Sequence, residues 1–169
     1  MSYDFIPDGD LMLADGKYFK VADFTCKDGA RYPFQWENNW RGLIALCDTV
    51  RDDWTRYLLS KGIIQDAKDG ALIVVCGFRT PKYNAELIAR DEKRGIHGVA
   101  SGSQHCHGRA ADLRPTHGTV EDLHILILVE HENGGLPMLG GLGIYPESDW
   151  VHVDTYVPPD GHLRMWTGV

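Results

Sequence analysis

The chain has no Cys-x-x-Cys pair, no block of five or more basic residues, no internal repeat and no apolar stretch of membrane-spanning length. Each absence removes a class of protein. A membrane helix needs roughly 18 continuous apolar residues, and no apolar run comes near that; Ile125 to Val129 reads as a buried helix segment. The formal charge of -7, with Lys and Arg scattered, argues against a nucleic-acid partner. Four cysteines at 26, 47, 76 and 106 lack the spacing of a four-cysteine zinc site and read as reduced thiols. Cys47 and Cys76 lie in apolar runs and read as core. Met1 to Asp8 shows no basic segment leading into an apolar one, so the chain is expected to be made in the cytoplasm without a signal peptide.

What is present suits one domain. At 169 residues and 43% hydrophobic content the chain is long enough to bury a core. Residues 1–16 mix Asp, Gly and Pro and read as an irregular lead-in to a domain over 17–169. Lys17 to Cys26 alternates apolar and polar residues and ends in a turn. Leu43, Leu46, Cys47, Val50, Trp54, Tyr57 and Leu58 recur at helical steps, predicting a helix over Gly42 to Lys61. Further helices are expected from Pro81 to about Asp91 and, behind a Thr119 cap, from Val120 to about Glu132. Strands are expected at Ala71 to Cys76, Arg109 to Arg114, Leu142 to Tyr145 and Trp150 to Tyr156. This order predicts an α+β fold with a small, largely antiparallel sheet flanked by helices.

The chemistry concentrates in Ser103-Gln-His105-Cys-His-Gly108-Arg-Ala110-Ala-Asp112 and, forty residues on, Asp149-Trp-Val-His152-Val-Asp154. Two His and one Asp are a ligand set that zinc takes, with a fourth position left open in catalytic sites. Side chains alternate along a strand, so His152 and Asp154 share a face while Val151 and Val153 take the other. Side-by-side strands would bring His105, Asp112 and His152 onto one ion. Asp149 is then a candidate general base, or simply a turn residue. Arg79 is a candidate for gripping a substrate carboxylate or oxyanion, or for a plain ion pair with Glu86. His107 reads as a surface neighbour, with a fourth-ligand role as its alternative. Trp36, Trp40 and Trp54 read as core or groove wall.

These residues resemble the zinc D-Ala-D-Ala carboxypeptidase and L-alanyl-D-glutamate endopeptidase family, which shares its fold with the hedgehog signalling domain. The resemblance lies in Tyr18 to Gly29, Gly77-Phe78-Arg79-Thr80-Pro81-Lys-Tyr83-Asn84, Ser103-x-His105-x-x-Gly108-x-Ala110-x-Asp112, Tyr145-Pro146, Val151 to Thr155, and Arg164-x-Trp166. It implies one Zn2+ at His105, Asp112 and His152, a base at Asp149, and Arg79 and Ser103 facing the substrate. Asp154 is implied as an alternative base or as the partner holding a His ligand. The implied substrate is the D-amino-acid-containing stem peptide of peptidoglycan, with no nucleic acid or membrane partner. A phage lysin is one such role. The alternative is a non-catalytic, zinc-stabilised module binding peptidoglycan or a protein.

Overall fold

The computed structural model describes residues 16–168 except 97. Three helices and a five-stranded sheet carry the fold: α1 (Glu37–Ser60), β1 (Leu72–Cys76), α2 (Pro81–Glu92), β2 (Ala110–Pro115), α3 (Val120–Glu132), β3 (Gly141–Tyr145), β4 (Trp150–Asp154) and β5 (Arg164–Thr167). The strand order is β1-β2-β4-β3-β5. Neighbours pair antiparallel except β3 with β5, which run parallel. The α+β expectation holds, with a mixed sheet in which β3 and β5 form the parallel pair. Among the described residues no helix is long and apolar enough to cross a membrane.

Helix α1 begins five residues before Gly42, because the buried stripe starts at Trp40 rather than Leu43. Glu37 and Arg41 pair one turn apart at 2.7 Å and support this added turn. The helix ends where Gly62 enters the left-handed region and Ile63 N–H reaches back to Leu58 O. Trp40, Leu43, Leu46, Cys47, Val50, Trp54 and Leu58 form one buried face against Val120, Leu123 and Ile127 of α3 and the inner side of the sheet. Thr119 Oγ1 accepts the Asp122 amide at 3.1 Å and caps α3 as its sequence predicts.

Three expectations need correction. The run Ile125 to Val129 is not buried throughout: Ile125 and Val129 are exposed, because residues four apart share one face of a helix and here that face is the outer one. A fifth strand, β5, joins the sheet where the sequence shows only a four-residue stretch with little alternation. Cys76 does not lie in the core but faces Arg79 and Asp112. The lead-in assigned to residues 1–16 falls, but for Gly16, outside the described residues.

Candidate metal centre

The two central strands sort their side chains by parity. Ala111 and Leu113 of β2 and Val151 and Val153 of β4 are fully buried on the core side. Asp112, His152 and Asp154 occupy the opposite side, and Asp112 lies directly across from His152 in the β2–β4 register. His105 arrives from a 3₁₀ turn, Gln104–His107, which ends where Gly108 adopts φ 63°. A Cβ there would stand 2.8 Å from the Tyr32 ring, so glycine is required twice over. On the other side, Gly77 lets its chain approach Phe24, whose carbonyl accepts the Phe78 amide at 2.7 Å. Arg79 N–H then donates to His105 O at 3.2 Å, and the two segments lock together.

Outer hydrogen bonds fix both imidazoles. His105 Nδ1 lies 2.6 Å from Gly77 O, so that nitrogen carries the proton and donates. His152 Nε2 lies 3.2 Å from Asp154 Oδ2, the carboxylate that would accept its proton when Nδ1 faces a metal. The remaining nitrogens, His105 Nε2 and His152 Nδ1, then point lone pairs at one atom, Asp112 Oδ1, from 3.3 and 3.0 Å. Three acceptors facing one point repel each other unless a proton or cation lies among them. Zinc bonds of 2.0–2.1 Å in a tetrahedron place donors about 3.3 Å apart, close to the 3.3 and 3.0 Å that separate the two imidazole nitrogens from Asp112 Oδ1. The donor set therefore fits the ion that the resemblance implies.

Without a metal, a proton takes that place. Burial opposes charge on His105, but the Asp112 carboxylate outweighs it and His105 is pushed up to about 9. Burial likewise opposes ionisation of Asp112, yet His105 and His152 outweigh it and hold the carboxyl well below the usual carboxylate range. Arg79, its side chain only 13% exposed, adds a contact to Asp112 Oδ2 at 3.2 Å and donates from Nε to Cys76 Sγ at 3.0 Å. It does not pair with Glu86, which lies beside Lys82.

Asp154 is wholly buried and engaged on both oxygens. It accepts from Arg164 at 2.6 Å and from the Tyr156 amide at 2.9 Å besides facing His152. The structure thus brings together His105, Asp112, His152, Arg79 and Asp154. Ser103 lines the adjoining cavity. Asp149 is elsewhere: it adopts φ 61°, its side chain is 62% exposed, and its carboxylate stands 3.8 Å from Arg114 Nε. It is not among the residues lining the cavity, although Ser148 and Trp150 on either side are. His107 packs edge-on against Trp36.

The cavity holds about 690 Å³ and runs from the His–Asp cluster to the loop after α2. Trp166 lies tilted against His152, ring centres 5.0 Å apart, and donates its indole N–H to Tyr145 Oη at 2.9 Å, forming one wall. Arg90 and Arg94 line the far end. Sequence reasoning does not reach these two arginines, since nothing in the spacing of α2 shows which face meets the site.

The family model for peptidoglycan L,D-endopeptidase MepK matches residues 57–166. The chain belongs to this family. The matched stretch holds every residue of the His–Asp cluster, and it bears out the resemblance to zinc D-Ala-D-Ala carboxypeptidases and endopeptidases. The probable peptidoglycan L,D-endopeptidase MepK of Haemophilus influenzae is 35% identical over 102 residues, covering 60% of this chain and 46% of that protein. The peptidoglycan L,D-endopeptidase MepK of Escherichia coli K12 is 33% identical over 94 residues, covering 55% and 42%. The Shigella flexneri MepK matches to the same extent. The matched region is thus less than half the length of these MepK relatives. No solved structure matches the chain.

Proposed function

We propose that this protein is a zinc metallopeptidase that hydrolyses D-amino-acid-containing stem peptides of peptidoglycan, at an L,D bond. The observation that carries the reading is the convergence of His105 Nε2 and His152 Nδ1 on Asp112 Oδ1 at one end of a cavity large enough for a peptide. The bond type rests on the family and on the names of its relatives.

His105, Asp112 and His152 would hold the ion. Zinc in such a site supplies Lewis acidity, polarising a carbonyl and lowering the pKa of water from 15.7 to about 7. The protein's own groups do the rest. Gly77 O and Asp154 keep both imidazoles in the tautomer that leaves the inner nitrogen free. Arg79, held by Asp112 and Cys76, offers a fixed cation to a substrate carboxylate or to the oxyanion that forms on attack. Arg90 and Arg94 extend that positive lining toward the acidic groups of a stem peptide. Tyr145 and Trp166 supply a flat wall for the peptide backbone. The base role expected of Asp149 requires its carboxylate to leave Arg114 and turn inward past Ser148 and Trp150.

The test is digestion of purified peptidoglycan by zinc-loaded protein, with products read by mass spectrometry, beside a chelated sample. Internal stem-peptide fragments that vanish on chelation are expected. Release of single terminal D-Ala would instead assign a carboxypeptidase. No product from protein that retains zinc would overturn the peptidase and favour the binding module.

A further inference from the structure

We propose that Cys76 is a fourth ligand of the metal held by His105, Asp112 and His152, so that the resting site is capped by a thiolate that must leave the ion before water can take its place. This rests on the metal-site reading above. The decisive feature is a bulge in β1. Ile73 and Val74 pair with Arg114 and Leu113, but the register then shifts and Cys76 stands opposite Asp112. Regular alternation would have set Val75 opposite Asp112 and turned Cys76 toward the core with Val74. The extra residue re-aims the thiol onto the face of the metal ligands, which is what bulges beside functional sites commonly do.

The chemistry agrees with the geometry. One donor atom from each of Cys76, His105 and Asp112 lies within 4.8 Å of the others. This triad shares His105 and Asp112 with the His105–Asp112–His152 set, and His152 reaches it through its 3.0 Å contact with Asp112 Oδ1. Zinc accepts thiolate alongside imidazole and carboxylate, and four protein ligands fill a tetrahedral site. A coordinated thiol is deprotonated by the ion. Its charge here is supported by Arg79 Nε, which donates to Sγ at 3.0 Å. Cys26, Cys47 and Cys106 provide internal controls: among the described residues only Cys76 joins such a donor group.

Cobalt substitution reads the ligand directly. Co2+ bound by a thiolate shows an intense sulfur-to-metal charge-transfer band in the near ultraviolet, whereas a centre of nitrogen and oxygen ligands shows only weak visible bands. The wild-type Co2+ protein is expected to show the charge-transfer band, Cys106→Ser to keep it, and Cys76→Ser to lose it while binding one Co2+. Visible bands of a tetrahedral ion without the charge-transfer band, in the wild type itself, would overturn the cap and leave the metal site standing. So would a band that survives Cys76→Ser. Failure of the wild type to bind Co2+ at all would overturn the metal reading and the cap together.

Discussion

The two faces of the β2–β4 pair are built from adjacent residues and do opposite work. Ala111, Leu113, Val151 and Val153 face inward with no exposure, and their burial stabilises the domain. Asp112, His152 and Asp154, one residue away in each case, are also buried, yet they carry charge and hydrogen-bonding capacity that costs free energy to desolvate. That cost is met by packing on the other face of the same strands. The lesson is that strand parity separates stability from chemistry within a few ångströms, so substitutions on neighbouring residues should fail in different ways.

The largest effect on stability should come from the inner face. Leu113→Ala is expected to cost roughly 2–5 kcal/mol, the usual range for a buried leucine. Denaturant melts measure the loss, and at low temperature the folded fraction should still bind zinc as tightly as wild type. Weakened zinc binding by the folded fraction would show that the faces are not separable.

On the outer face, Asp154→Asn should reverse the pattern. The fold persists, but zinc affinity falls by roughly 10–100-fold, the scale for losing the partner that orients a ligating histidine. Competition with a chromophoric chelator measures it. Unchanged affinity would mean that His152 is held without Asp154.

A pH titration sharpens the contrast without mutation. His105 is pushed up to about 9 in the metal-free protein, from an ordinary 6.5. The raised value means that its contribution to stability is fully present below about 6.5 and is lost as pH rises through 9. The metal-free domain should therefore melt progressively lower across that window. Zinc replaces the proton, so binding should release protons and strengthen with pH, as calorimetry in buffers of different ionisation enthalpy would show. Proton-independent binding would contradict the assignment of His105.

The smallest effect is expected at Asp149, in the turn just before β4 and outside the cavity. With its carboxylate exposed and beside Arg114, Asp149→Asn should lower peptide release by less than about tenfold. A loss of about 100-fold or more, within the range for a general base, would show that the carboxylate does swing inward.

Much of this was legible in the sequence because it follows from periodicity. The alternation Val151-His152-Val153-Asp154 gives both faces of β4 directly, and Thr119 announces the start of α3. What escaped depends on long-range register. No local signal marks the bulge that turns Cys76 out of an apolar strand. The direction of the Asp149 side chain depends on a left-handed backbone that sequence spacing cannot reveal, and Arg90 of α2 and Arg94 of the turn after it line the cavity only because of how that segment packs. Ile125 and Val129 show the reverse error, in which apolar composition suggested burial that helix geometry denies them.

Zinc stoichiometry in wild type and Asp112→Asn tests the central claim most directly, since Asp112 Oδ1 is the atom on which both imidazoles converge. One zinc per wild-type chain, and none retained by a folded Asp112→Asn, is the expected result. Equal zinc content in the two proteins would contradict the account and place the ion elsewhere.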